Sequence, residues 1–231
     1  MNKKSSPQCA KCPTVACSPP VGSQEKPDLD KAPVFCPIRT MPEVMDSALL
    51  EYENPDIKEF ARQASIQEAE CYENTPEGRR TKNPRILELI QFSQKMGYRK
   101  LGIAFCTGLA KEAMILTEIL ENKGFEVVSA RCKVGAVSKE KIGIKEQEKI
   151  GGPGSCETMC NPIGQAKVLN HEKVDLAILL GLCMGHDTMF IQHCRVPMTV
   201  LAVKDRVTGH NPLAALYLSS SYYSRLKTKT K

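Results

Sequence analysis

The chain has 231 residues, a net charge of +6, 42% hydrophobic residues and 25% charged residues. These fractions are ordinary for a folded globular protein and argue against wholesale disorder, and the positive bias is too diffuse to imply nucleic acid by itself. The longest apolar run, Leu176–Met184, is strand-sized and falls short of the roughly 18 residues needed to span a bilayer.

The opening Met-Asn-Lys-Lys-Ser-Ser-Pro-Gln-Cys lacks the apolar stretch of a secretory signal, so a cytoplasmic protein is expected. Trp is absent and aromatics make up 5%, which disfavours base-stacking platforms. The 11 cysteines are the unusual component. Their number is odd, so they cannot all pair. In a reducing compartment, clustered cysteines bind metal or do thiol chemistry more often than they form disulfides.

In chain order, residues 1–39 stand apart. They carry Cys9, Cys12, Cys17 and Cys36, and Pro19, Pro20, Pro27 and Pro33 mark an extended loop. Such a segment buries too little apolar surface to offset its ordering entropy, so a metal is expected to hold it. Residues 40–82 read as a helical linker packing on the core. Thr40-Met-Pro-Glu43 fits a capping box for a first helix that stops at Asn54-Pro55. A second helix runs from Asp56 to about Cys71, and Thr75–Thr81 reads as a polar turn.

From residue 83 to 231, strands alternate with helices. Asn83-Pro84 predicts a helix start and Gly97 its stop. Lys100–Cys106 is a buried strand, Leu109–Lys123 a helix stopped by Gly124, and Phe125–Ala130 the next strand. Ser138–Ile150 is charged and partly helical. Asn161-Pro162 opens a helix to about His171, followed by strands at Val174–Gly181 and Pro197–Val203. Between these strands lies a short Thr188–His193 helix, with Asp187 as its cap. Asn211-Pro212 opens a last helix through Leu218, and the Lys/Thr tail from Lys227 reads as frayed. The order predicts an α/β fold: a mostly parallel open sheet with Rossmann-like layering, preceded by the Cys-rich metal-binding segment and the helical linker.

Cys9-x2-Cys12-x4-Cys17-x18-Cys36 places four thiols in 28 residues. A C-x-x-C pair can put both sulfurs on one metal while backbone N–H groups point at them. Thiolate ligands suit Zn2+ or an iron–sulfur cluster, and the spacing leaves both open.

A second group follows from topology. Cys106, Cys132 and Cys183 close three strands, while Cys156 and Cys160 precede the helix opened by Asn161. In an open parallel sheet, strand carboxyl ends and helix N-termini share one edge, where such folds place their sites. Helix N-termini also favour thiolates. The competing reading is that each cysteine is a small packed hydrophobe, as expected for Cys71 and Cys194. His186 can be a ligand or a structural residue. Asp205 and Arg206 end the fourth strand on the same edge, where Arg206 can hold an anionic ligand or an ion pair, and His210 before Asn211-Pro212 has a similar ambiguity.

Cys9-x2-Cys12, Gly102-Ile-Ala-Phe-Cys-x-Gly-Leu109, Cys132-Lys-Val-Gly135, Met159-Cys-Asn-Pro-Ile163, Gly181-Leu-Cys-Met-Gly-His-Asp187, Val203-Lys-Asp-Arg-Val207 and Gly209-His-Asn-Pro-Leu-Ala-Ala-Leu-Tyr217 together resemble one known family. It is the cysteine-rich metal-binding protein family of anaerobic bacteria and archaea called domain of unknown function 1847. The resemblance covers nearly the whole chain. It implies metal binding through cysteines and no particular reaction. Cys106, Cys132, Cys160 and Cys183 fall within its motifs, and Cys156 does not.

The leading expectation is a metal-binding protein of iron–sulfur or redox type. It would have a four-cysteine site at the N-terminus and a second cluster, Cys106, Cys132, Cys156, Cys160 and Cys183 with His186, at the sheet edge. The alternative is a small-ligand binding or sensing module with a structural zinc. Expected partners are a redox protein or a small anionic ligand, with no membrane and with nucleic acid disfavoured. No acid–base pair or nucleophile triad is identifiable, so no catalytic residue is assigned.

Overall fold

The structure, a computed structural model, describes residues 6–229. The first five residues of the Cys-rich segment and the last two of the tail lie outside the described residues. The chain divides into two compact units, Met1–Ile66 and Gln67–Lys231.

In the first unit, short 3-10 turns form at Cys9–Lys11 and Leu29–Lys31. Helices follow at α1 (Pro37–Thr40), α2 (Pro42–Glu51) and α3 (Pro55–Glu70), the last turn of α3 belonging to the second unit. The capping box expected at Thr40 does not form. Pro37 starts its own helical turn, and the Thr40 hydroxyl donates back to the Cys36 carbonyl at 3.1 Å. Pro42 disfavours helical backbone at Met41, which becomes the uncapped N-cap of α2. Asn54 does the capping at the next helix, its side-chain oxygen accepting from the Asp56 amide at 2.9 Å. No residue of α2 is buried, and Leu49 and Leu50 are 65% and 70% exposed.

The second unit opens on a hairpin, β1 (Tyr72–Thr75) and β2 (Gly78–Thr81), where the sequence reads as a turn. Its strands are polar, so no apolar alternation announces them. Arg80 pairs with Glu73 across the strands at 2.6 Å, and the Arg79 guanidinium sits 4.8 Å from the Tyr72 ring centre.

The helix α4 (Arg85–Lys95) follows and stops at Gly97, whose φ of +68° lies in the left-handed region that favours glycine. Asn83 does not cap it. Its side-chain amide donates instead to the Gln91 side chain at 2.8 Å, leaving Pro84 at the N-cap.

Then come β3 (Lys100–Phe105), α5 (Ala110–Asn122), β4 (Glu126–Arg131), α6 (Pro162–His171), β5 (Leu176–Leu180), α7 (His186–His193), β6 (Met198–Ala202) and α8 (Leu213–Tyr217). The four strands β3 to β6 form one wholly parallel sheet in the order β4-β3-β5-β6. The central strands β3 and β5 are almost entirely buried, as expected for a continuous apolar run in a parallel sheet.

Leu101, Ile103, Leu120, Leu169, Ile178 and Phe190 are among the core side chains with no more than token exposure. Gly102 lies under Leu169 and Val174, whose side-chain carbons stand 3.0 Å from where a Cβ would be, so α6 packs closely on β3 there. Asp175 accepts from the Arg99 and Lys100 amides at 2.8 and 2.9 Å and ties the start of β3 to the start of β5.

Asn161 caps α6 as its Asn-Pro signal predicts, accepting from the Gly164 amide at 2.9 Å. The α7 helix begins two residues earlier than expected, at His186 with Gly185 as N-cap. Asp187 therefore lies inside the first turn, where it accepts from the Thr188 amide at 2.7 Å. Lys227 closes a 3-10 turn, Ser224–Lys227. Among the described residues no helix is long and apolar enough to cross a membrane.

Candidate functional site

The strand following β3 in the chain, β4, lies on one side of it, and the strand after that, β5, lies on the other. The winding direction reverses between β3 and β5. Outside the carboxyl ends of the strands at such a switch point, open α/β sheets place their ligands. Cys106 is the first residue after β3, and Cys132 the first after β4. Cys183 follows β5 by three residues, and Cys160 precedes the N-cap of α6.

The backbone fixes these positions. The Cys106 amide donates to the Leu180 carbonyl at 3.3 Å, and the Cys132 amide to the Phe105 carbonyl at 2.9 Å. The Asn161 amide donates to the Cys132 carbonyl at 2.7 Å, so Cys160 and Cys132 enter the edge side by side. The Cys183 carbonyl accepts from the His186 amide at 2.9 Å, opening α7. Gly181, at φ +69°, lets the chain leave β5 against Leu109, whose side chain lies 2.9 Å from a built Cβ. A side chain there would force both backbone and packing apart.

The side chains converge in pairs. The Cys160 sulfur stands 4.0 Å from the Cys132 sulfur and donates toward it. The Thr107 amide donates to Cys132 Sγ at 3.3 Å, and its hydroxyl lies 3.4 Å away. Arg206 donates from Nη2 to Cys183 Sγ at 3.0 Å. Gly108 leaves room for the Lys204 ammonium, whose Nζ is 2.8 Å from where a Cβ would lie, with Cys106 Sγ 4.0 Å from the same point.

These contacts set the charges. The Cys160 hydrogen bond, then those from Thr107, drive the Cys132 thiol down to about 4, with the Lys133 ammonium helping and burial opposing. The same bond, followed by burial, drives Cys160 well above the ordinary thiol value. One proton is thus held between two sulfurs, on the Cys160 side. Burial raises Cys106, and the neighbouring Cys132 and Cys183 sulfurs add to the rise while Lys204 opposes it. Cys106 thus feels the Cys132 and Cys183 sulfurs and the Lys204 ammonium.

The remaining sequence-predicted residues divide. His186 heads α7, and its Nδ1 is buried without a hydrogen-bond partner among the described residues. Cys156 is exposed on the loop before Cys160 and shares none of the sulfur contacts. Asp205 is structural: its carboxylate accepts the Val207 and Thr208 amides at 2.9 and 3.0 Å, and His210 Nδ1 accepts from its amide. Cys71 is buried and donates to the Gln67 carbonyl at 3.0 Å, and Cys194 packs against the core, both as expected.

Thr107, Lys133, Lys204 and Gln165 receive no role from the sequence, which carries no signal of what each meets across the fold. Gln165 is fully buried. Its amide donates to the carbonyls of Phe105 at 3.1 Å and Ala130 at 2.7 Å, pinning the ends of β3 and β4 where Cys106 and Cys132 begin.

In the first unit, Cys9 and Cys17 are exposed, and Cys12 and Cys36 are half-buried. The Cys12 amide closes the turn on the Cys9 carbonyl at 3.0 Å. The Thr14 hydroxyl, then the amides of Thr14, Val15 and Ala16, lower the Cys12 thiol below its ordinary value. Converging N–H groups of this kind are what a thiolate ligand needs around its sulfur. Among the described residues no three His, Cys, Asp or Glu side chains stand together in a ready metal-binding arrangement.

The family model of a protein of unknown function, DUF1847, matches residues 36–201. An uncharacterized protein of Methanocaldococcus jannaschii is 42% identical over 167 residues, covering 72% of this chain and 83% of that protein. The chain belongs to the DUF1847 family. Cys36 and all five edge cysteines lie inside the matched stretch, while Cys9, Cys12 and Cys17 precede it and Lys204 and Arg206 follow it.

Proposed function

We propose that this DUF1847 protein is a metal-binding protein of iron–sulfur or redox type acting in a reducing, cytoplasmic compartment. Cys106, Cys132, Cys160 and Cys183 would form one centre at the sheet edge, and Cys9, Cys12, Cys17 and Cys36 another. The observation that carries the reading is the Cys132–Cys160 contact of 4.0 Å at the switch point, with Cys132 held as a thiolate. Thiolates crowded at one edge repel one another, so binding through all four sulfurs would call for a cation. Lys133, Lys204 and Arg206 supply part of that charge, and soft Zn2+ or an iron–sulfur cluster is the matching remainder. His186, three residues beyond Cys183 and with its Nδ1 buried without a partner among the described residues, offers a further donor or acceptor.

When bound, the metal supplies electron storage or Lewis acidity. The chain's own part is to hold Cys132 charged through Thr107, to keep Cys106 dry by burial, and to balance Cys183 with Arg206. The test is iron, zinc and acid-labile sulfide analysis of full-length protein purified without oxygen. It is repeated after serine replacement of Cys106, Cys132, Cys160 and Cys183. Broad visible absorption with iron and sulfide, lost in the variant, supports the reading. Full metal content in the variant overturns the edge centre.

A second reading has its own observation. The Lys204 ammonium lies beside Gly108 and the Arg206 guanidinium against Cys183, two cations at the strand carboxyl ends where a small anion would meet them. Colourless protein with zinc held only by the N-terminal cysteines favours this ligand-binding module.

A further inference from the structure

We propose that Cys132 and Cys160 are a reversible dithiol–disulfide pair, oxidised by low-molecular-weight disulfides when no metal holds them. This goes beyond the metal reading and does not depend on it. Three observations carry it. The two sulfurs are 4.0 Å apart with a hydrogen bond between them. Their backbones are already joined by the Asn161 amide and the Cys132 carbonyl at 2.7 Å. A disulfide needs the sulfurs at about 2.05 Å, and rotation about the Cα–Cβ bond of Cys160 changes the separation without moving that backbone. Cys183 is engaged differently, facing the Arg206 guanidinium at 3.0 Å.

Access sets the order of events. Cys132 is 2% exposed and enclosed by Thr107, while Cys160 is half-buried and reachable. Cys160 attacks the incoming disulfide RSSR through the minor arrangement in which the shared proton sits on the Cys132 sulfur. A Cys160–SR bond forms, the R–S–SR bond breaks, and RS⁻ leaves. That RS⁻ takes the proton from Cys132, which then attacks Cys160 Sγ and expels the second RS⁻. The two protein sulfurs lose two electrons, the two R sulfurs gain them, and the products are RSH, RS⁻ and a Cys132–Cys160 disulfide.

The experiment uses the full chain, both untreated and after exhaustive chelation, equilibrated anaerobically with oxidised glutathione and mapped by peptide mass spectrometry. The expected result in the chelated chain is a Cys132–Cys160 disulfide, reversed by excess reduced glutathione. Cys132→Ser should accumulate glutathione on Cys160. Cys160→Ser should be modified at Cys132 at least about tenfold more slowly. Absence of the Cys132–Cys160 linkage in the chelated wild-type chain overturns the proposal, as does preferential linkage of either residue to Cys106 or Cys183. Modification of Cys132 in Cys160→Ser at the wild-type rate overturns the order of attack. Metal content is measured on the untreated sample, so pairing without a metal centre and a metal centre without pairing are read separately. The wild-type measurement requires no variant to fold.

Discussion

The Cys160 thiol donates to the Cys132 sulfur across 4.0 Å, and this one contact pulls the two thiols to opposite sides of the ordinary value. Metal-free protein should therefore show a thiolate at neutral pH that disappears as the pH falls through about 4. Ultraviolet thiolate absorbance reads it directly. The signal should be lost in Cys132→Ser and should titrate at higher pH in Cys160→Ser. The folded value lies below that of an unfolded cysteine, so the unfolded chain binds more protons between the two. Wild-type stability should rise with pH relative to Cys132→Ser from about 4 up to the ordinary thiol range, and that advantage should vanish below. Equal pH profiles would remove the contact from the account.

Serine replacement of Cys9, Cys12, Cys17 and Cys36 together should release one metal equivalent or cluster and make residues 6–39 protease-sensitive. The unit Gln67–Lys231 should keep its fold, because its apolar strands carry their own burial. Metal analysis and limited proteolysis check both halves. Unchanged metal content would reject the N-terminal assignment.

Gln165→Leu should destabilise the protein by about 1–3 kcal/mol, since it strips a buried donor from two strand-end carbonyls. The urea midpoint measures this. A second readout separates positioning from mere stability: the Cys132 thiolate titration should move, because the ends of β3 and β4 are no longer held together.

The loop carrying Cys156 and Cys160 is fastened by Glu157. Lys139 first, then the Gly151 amide at 2.6 Å, hold its carboxyl down at about 2. A carboxylate depressed in the fold stabilises fully above its ordinary value near 4.5, and that support is lost as the pH falls toward 2. Glu157→Gln should open the loop to trypsin several-fold faster at pH 7. Wild-type protein should show the same opening, by pepsin cleavage, only under acid. Equal trypsin rates would show that the loop is fastened elsewhere.

The sheet was legible in the sequence because its central strands are unbroken apolar runs, and the Asn161-Pro162 start of α6 because both residue preferences act at one point. The signals at Thr40 and Asn83 failed because each helix starts one residue later, with Met41 and Pro84 at the N-cap, and each polar side chain bonds to another carbonyl or amide. The β1–β2 hairpin was hidden by polar strands held through Glu73–Arg80 and Tyr72–Arg79 pairs. At the edge, Cys106, Cys132 and Cys183 could be placed from strand ends and Cys160 from the start of α6. Thr107, Lys204 and Gln165 could not, since their importance lies in what they meet across the fold.

The strand order separates the two cysteine groups thermodynamically. Cys9 to Cys36 span 28 residues of continuous chain, so even an unfolded chain can gather them around an ion. Cys106, Cys132 and Cys183 are brought together only when β3, β4 and β5 lie in register. Any ligand that grips all three binds the native state alone, and at a hundred times its Kd it stabilises the sheet by about 2.7 kcal/mol. Loading the edge and folding the sheet are thereby coupled equilibria. The melting temperature of the second unit should follow ligand concentration, whereas an N-terminal ion that also binds unfolded chain would shift it far less.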